Sequence, residues 1–290
     1  MFKTKSKIAF VSTTLIALMV LVGCGQTATP TTPSATPSAT TIDKKTISAA
    51  GSTALQPLVK IAADEFMAKN AGVQVNLSGG GSMTGLNNVA SGAIEIGNSD
   101  VLAPDELKSA GLVDHQVCVA PFILITNKDV TVDNLTKAQA ADIFTGKVTN
   151  WKDVGGKDEK ISIIGRAASS GTRLNVEKIV MDGKKMTEAA AATDSTGNLL
   201  TGVGQTPGAI GYIDAAYLKD TVKALKFEGV AYSADAVTSG TYPIYCYEHM
   251  YTKGEATGTV KLFLDYIASP EFQDKNVEKA GFIASTKMKK

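Results

Sequence analysis

Apolar residues in this chain fall into short runs and stripes whose ends are marked by small polar turns. Residues 46–49 form a brief strand-like run that enters Ala50-Gly51-Ser52-Thr53-Ala54. Beyond it Leu58, Ala62 and Phe66 recur at spacing four, with Leu55 and Ile61 beside them, which predicts a core-facing helix to about Lys69. Pro57 sits in its first turn, where a missing N–H costs little. Val73, Val75 and Leu77 alternate as a half-buried strand, and a glycine-rich run, Ser78-Gly79-Gly80-Gly81-Ser82, precedes a short helix to about Ala90. Residues 93–97 predict a strand running into Asn98-Ser99-Asp100, and 116–126 are β-like but interrupted by Pro121. A helix is expected over about 136–144, a buried strand around Ile163 and Ile164, and a helix over 174–181. Residues 184–206 turn from Ala-rich to Gly- and Thr-rich, 208–213 read as a buried strand after a Pro-Gly turn, and 242–251 are strongly β-like. Val260, Phe263, Leu264 and Ile267 stripe a last helix over about 259–268. Strands alternating with helices predict an α/β fold with largely parallel sheets.

The N-terminus departs from this pattern. Lys3, Lys5 and Lys7 precede an apolar stretch, 8–22, too short for a comfortable membrane span, and Leu21-Val22-Gly23-Cys24 closes it. The closing residues resemble the lipobox of bacterial lipoproteins, which implies a signal peptide over 1–23, cleavage before Cys24 and lipidation of that thiol. Residues 26–41 are a Thr/Pro/Ala/Ser tract, so 24–45 are expected to be a disordered or extended tether. The chain is therefore expected to face outward, lipid-anchored to the bacterial cell membrane without spanning it. At 290 residues it is long enough for two cores. Without the three leader lysines, 26 basic side chains face 28 acidic ones, a net −2 that argues against nucleic acid as a partner. Cys118 and Cys246 lie in apolar, strand-like runs; buried free thiols are the default, and an oxidising exterior would also permit a disulfide.

Candidate chemistry concentrates where strands hand over to helices. The stretch Gly165-Arg166-Ala167-Ala168-Ser169-Ser170-Gly171-Thr172-Arg173 couples a strand end to a helix start, where unpaired amides and the helix dipole suit an anion. Arg166 and Arg173 add guanidinium groups able to grip oxyanions. Alone, this is equally an ordinary Ser/Thr helix cap with two surface arginines. The same design recurs at Ser52-Thr53, at Ser82 and at Ser99-Asp100. An acidic residue suits an anion site if the anion carries a proton, because a carboxylate accepts from P–OH and repels a fully ionised sulfate. A turn cap near Pro104 is the competing role for Asp100.

Taken together, AGST (50–53), IGNSD (96–100), IFTGKVTNWKDVGG (143–156), GRAASSGTR (165–173) and GAIGYI (208–213) resemble, in that order, the phosphate-binding proteins of bacterial ABC-type phosphate transporters, a periplasmic-binding-protein-like family. The resemblance runs through nearly all of 46–290. It implies a two-lobed, type II-like periplasmic-binding-protein fold with a ligand cleft between lobes and two hinge-crossing strands, near 122–127 and 241–247. Lobe I would comprise 46–124 plus 243–290, and lobe II 125–242. It further implies that inorganic phosphate is held by Ser52, Thr53, Ala54 (through its N–H), Ser82, Ser99, Asp100, Arg166, Ser170, Gly171 and Thr172, and is delivered by a monomeric receptor to a membrane permease. No metal or other cofactor is called for. One departure stands out: the family often carries an acidic residue that holds the arginine in place, and here that position is Ala168.

Other readings stay open on the residues. A serine hydrolase or phosphatase using Ser170 or Ser52 would need a base. His115 and His249 are the only histidines, and HExxH, paired CxxC and GxSxG motifs are absent. The same fold could instead receive sulfate, molybdate or tungstate, against which Asp100 argues, and an adhesin or sensor role could be added to it.

Overall fold

The computed structural model describes residues 46–188 and 190–289. The expected signal peptide over 1–23, the expected lipidation of Cys24 and the expected tether over 24–45 lie outside the described residues.

The first part of the chain supplies β1 (Thr46–Gly51), α1 (Gln56–Lys69), β2 (Gln74–Gly80), α2 (Ser82–Ser91), β3 (Ile96–Ser99) and the long β4 (Leu112–Thr126). Then follow β5 (Asn134–Leu135), α3 (Lys137–Phe144), β6 (Ser162–Arg166), α4 (Gly171–Ile179), β7 (Ala191–Thr193), α5 (Thr196–Gln205) and β8 (Ala209–Asp214). The chain closes with β9 (Lys223–Ala224), β10 (Lys226–Phe227), α6 (Ala234–Thr238), β11 (Tyr245–Lys253), α7 (Gly258–Ala268) and the single turn α8 (Pro270–Phe272). Among the described residues no helix is long and apolar enough to cross a membrane.

The fold is α/β and two-lobed. One path of paired strands runs β2-β1-β3-β11-β4-β8-β6-β7. The β1–β2, β1–β3, β6–β7 and β6–β8 pairings are parallel, as expected for strand–helix alternation. The long strands differ: β11 runs antiparallel to β3 and β4, and β4 antiparallel to β8. The expected interruption at Pro121 does not occur. Instead β4 changes partner there, pairing with β11 up to Pro121 and with β8 from Phe122. A residue without an N–H costs no ladder bond at a point where one ladder ends and the next begins. The chain returns beside this point: the Phe122 amide donates to the Ile244 carbonyl (2.9 Å), and Tyr242 Oη donates to the Phe122 carbonyl (2.8 Å).

Helices follow their sequence signals. Thr136 and Gln139 form a reciprocal capping box at the start of α3. The apolar stripes of α1 and α7 meet at Phe66 and Phe263, whose rings pack edge-on at 5.3 Å; burial of each such side chain contributes about 1.5–3 kcal/mol. Trp151 is buried and donates from its indole N–H to the Gly208 carbonyl (2.9 Å), tying the turn after α3 to the start of β8. Cys118 and Cys246 sit on the adjacent strands β4 and β11 as buried free thiols, and burial pushes both well above the ordinary cysteine value.

Candidate functional site

Five strand ends and helix starts converge. From one half come the turn after β1, the N-terminus of α2 and the end of β3. From the other come the end of β6 with α4, and the start of α5. Gly81 shows how closely they meet: at φ +88° it caps α2, and a Cβ there would lie 2.6 Å from the Ser169 carbonyl. Across the same seam the Met83 amide donates to the Ser169 carbonyl (3.0 Å), and Ser169 Oγ donates to the Gly80 carbonyl (3.0 Å).

Asp100 and Arg166 lie at the centre, each 2% exposed. Asp100 Oδ2 accepts from Thr172 Oγ1 (2.8 Å), its amide donates to Ser82 Oγ (2.9 Å), and its carbonyl accepts from Asn175 Nδ2 (2.8 Å). Thr172 and Asn175 share one face of α4, three residues apart. Arg166 Nη1 donates to Thr196 Oγ1 (3.0 Å) and Nη2 to the Asp194 carbonyl (3.2 Å). Those two contacts hold the guanidinium, and Ala168 offers it no side-chain partner. Burial pulls the guanidinium below the ordinary arginine value, with Asp100 the foremost group opposing that shift. Asp100 Oδ1 and Arg166 Nε are both buried without a protein partner. A carboxyl oxygen and a guanidinium N–H are therefore both left without a protein partner among these hydroxyls and the first-turn amides of α2 and α4.

Of the residues singled out from sequence, Thr53, Ser82, Asp100, Arg166, Ser170, Gly171 and Thr172 come together here. Thr53 Oγ1 lies 3.0 Å from Thr196 Oγ1 and accepts from the Thr196 amide (3.1 Å), so a line of contacts runs from Arg166 through Thr196 to Thr53. Gly171 abuts Ser82 and Asp100 directly. Ser170 Oγ caps α4 by accepting from the Arg173 amide (3.3 Å). Three others turn inward on their own loops: Ser52 Oγ accepts from the Ala54 (3.0 Å) and Leu55 (3.2 Å) amides, and Ser99 Oγ donates to the Val101 carbonyl (2.6 Å). Arg173, expected to grip an oxyanion, does not point there. Its Nε donates to Glu177 Oε1 (2.9 Å), four residues on, and its Nη1 to the Arg166 carbonyl (3.0 Å), so it braces the end of β6.

Sequence reasoning missed Thr196 and Tyr217. Ser195-Thr196-Gly197 repeats the helix-start pattern of Ser52-Thr53, and that signal was present. Tyr217 carried no such mark; its Oη donates to the Thr53 carbonyl (2.6 Å). Burial, then Asp214, pushes the Tyr217 hydroxyl up to about 12, so it remains a donor at neutral pH.

Asp214 ends β8 fully buried, its Oδ1 accepting from the Ala216 amide (2.7 Å). Burial raises its carboxyl well above the ordinary aspartate value. Between the unfolded and folded values the native state holds a proton that the unfolded chain lacks, so stability falls as pH rises through that window. Asp214→Asn keeps the acceptor and removes the titration. Its melting temperature should exceed wild type at mildly alkaline pH, with the advantage shrinking as pH approaches the ordinary aspartate value, about 3.9. Melting curves across that range check this, and a pH-independent difference would exclude it.

A family model described as the PBP superfamily domain matches residues 31–271. The phosphate-binding protein PstS of Bacillus subtilis is 45% identical over 242 residues, covering 82% of this chain and 80% of that protein. A crystal structure from Clostridium perfringens with bound phosphate, described as a putative phosphate ABC transporter substrate-binding protein, superimposes with a TM-score of 0.78 at 35% identity, covering 82% of this chain and 99% of that one. An ABC-type phosphate transport receptor from Vibrio cholerae gives a TM-score of 0.68 at 26% identity, over 82% and 99% of the two chains. The chain belongs to the PBP superfamily and, within it, to the PstS family.

Proposed function

We propose that this chain is an extracytoplasmic receptor that binds inorganic phosphate between its two lobes and delivers it to an ABC-type permease. The observation that carries the reading is that Asp100 and Arg166 are both buried, that Asp100 is the foremost charge acting on Arg166, and that each presents an unpartnered polar atom. A cation and helix N-termini select an oxyanion, and a carboxylate beside them selects one that still carries a proton. The relatives named for phosphate binding point to the same ligand.

In this reading Arg166, the first-turn amides at Gly171 and Thr172, and the hydroxyls of Thr53, Ser82, Ser170 and Thr196 donate to phosphate, and Asp100 accepts its proton. Ser52, Ala54 and Ser99 shape the loops that present them. Four or five hydrogen bonds to a charged ligand, at about 1.5–3 kcal/mol each, are of the size that micromolar binding (about −8.2 kcal/mol) requires once ordering costs are subtracted. The change of partner along β4 supports lobe I as 46–124 plus 243–290 and lobe II as 125–242. A lipid on Cys24, a 24–45 tether and a monomeric state complete the proposal. A serine-dependent hydrolase finds no support in the histidines: His249 Nδ1 meets Asp114 Oδ1 (2.9 Å) and His115 Nε2 meets Thr252 Oγ1 (3.0 Å).

Calorimetry on protein refolded after denaturation, titrated with phosphate and then sulfate, tests the reading. One-to-one phosphate binding without a sulfate response is expected; sulfate, molybdate or tungstate binding instead would reassign the ligand. Asp100→Asn should lose discrimination, binding sulfate at least about tenfold more tightly than wild type because a repelling carboxylate becomes an amide donor. Unchanged sulfate binding would remove Asp100 from that role.

A further inference from the structure

Glu248 is a buried acid that the phosphate contacts do not use. β11 pairs His249 with Ser99 in antiparallel register, and Glu248 and Asp100 are the next residue on each side of that pair. Glu248 is 0% exposed; its Oε1 receives a 3.7 Å contact from Cys246 Sγ, and its Oε2 has no partner. The titratable groups around it are Asp100 after β3, Asp214 at the end of β8, Cys246 on β11 itself, and Cys118, its register partner on β4. The strongest of these are acids, and Asp100 is within side-chain hydrogen-bonding reach. Two ionised carboxylates in contact would place acceptor against acceptor in a buried site meant to receive an anion. Burial, followed by Asp100 and Asp214, pushes the Glu248 carboxyl well above the ordinary glutamate value.

We propose that Glu248 is a specificity-determining residue whose O–H donates to the Asp100 carboxylate and keeps Asp100 turned as the acceptor that reads the ligand's proton. A carboxylate has about four lone-pair sites, so Asp100 can accept from Thr172, from Glu248 and from the ligand together. Without the Glu248 donor, Asp100 loses a contact that orients it as an acceptor, and the site discriminates less well against fully ionised oxyanions. The specificity role rests on the phosphate reading; the proton on Glu248 does not.

Infrared spectra of ligand-free wild type and Glu248→Gln at neutral pH, in H2O and D2O, read the proton directly. Because Asp214 can contribute a band of its own to both proteins, the wild-type-minus-variant difference should contain a protonated-carboxyl carbonyl band that shifts in D2O; a difference containing only carboxylate bands would overturn the proposal. Phosphate and sulfate affinities then test the role. Glu248→Gln retains a donor and should bind phosphate within about threefold of wild type, whereas Glu248→Met, similar in volume, should weaken phosphate and lose sulfate discrimination by about tenfold or more. A Met variant that matches wild type, or a Gln variant as impaired as Met, would overturn it. Melting curves show whether each variant folds. Wild type that shows the band yet binds no phosphate would overturn the phosphate reading, and the specificity role with it, while leaving the proton assigned.

Discussion

Arg166→Ala is expected to weaken phosphate binding at least a hundredfold, about 2.8 kcal/mol at 1.4 kcal/mol per decade. The guanidinium is buried, and two of its nitrogens are already held by Thr196 Oγ1 and the Asp194 carbonyl, so its orientation is set before any ligand arrives. Its Nε has no protein partner. Truncation removes a buried positive charge that acts on Asp100, and it leaves that carboxylate opposing the incoming anion. It also frees Thr196, through which the contacts reach Thr53. The ligand-free variant should melt below wild type, because truncation leaves the buried Asp100 carboxylate without its opposing charge, so affinities are compared on protein shown by its melting curve to be folded. Arg166→Lys keeps the charge but not the planar fork, and should fall between the two. Calorimetric affinities for the three proteins decide the matter. Binding by the alanine variant within about threefold of wild type, smaller than the loss of one hydrogen bond to a charged group, would place Arg166 outside the site.

The parts of this arrangement that were legible in the sequence share a cause. Helix starts are local: Ser170 caps its own helix and Ser52 closes its own turn, so both could be placed without knowing what they face, while Ser82 was marked by the glycines before it. The acid after β3 was legible through chemistry, since an exposed-looking Asp100 made sense beside a protonated oxyanion. What depended on two distant segments meeting was not legible. Tyr217 reaches the Thr53 carbonyl across 164 positions of sequence, and no periodicity announces it. Arg173 looked like Arg166 in composition, yet Glu177 four residues on was a readable sign of an ion pair within the helix. Pro121 was taken for a break because a proline usually ends a ladder. Here one ladder gives way to another at that residue, a fact belonging to topology rather than to local propensity.

Gly171→Ala should abolish phosphate-induced stabilisation while leaving the ligand-free protein unharmed. Gly171 is the first residue of α4, and its backbone does not lie in the left-handed region, so alanine suits it locally. The obstacle comes from the other half of the molecule. A Cβ at this position would lie 2.2 Å from Ser82 Oγ and 2.9 Å from the Cβ atoms of Ser82 and Asp100. Ser82 is pinned, since its Oγ accepts from the Asp100 amide, and it begins α2, so neither contact can relax by a rotamer change alone. The added methyl therefore opposes the approach of α4 to α2 and Asp100, the approach that brings donors and acceptor to one ligand. A wild-type receptor at about one hundred times its Kd gains about 2.7 kcal/mol of stability from ligand. In Gly171→Ala that gain should fall to near zero at the same phosphate concentration, with the ligand-free melting temperature equal to or slightly above wild type. An undiminished phosphate shift would mean that binding does not require the halves to meet as closely as they do here.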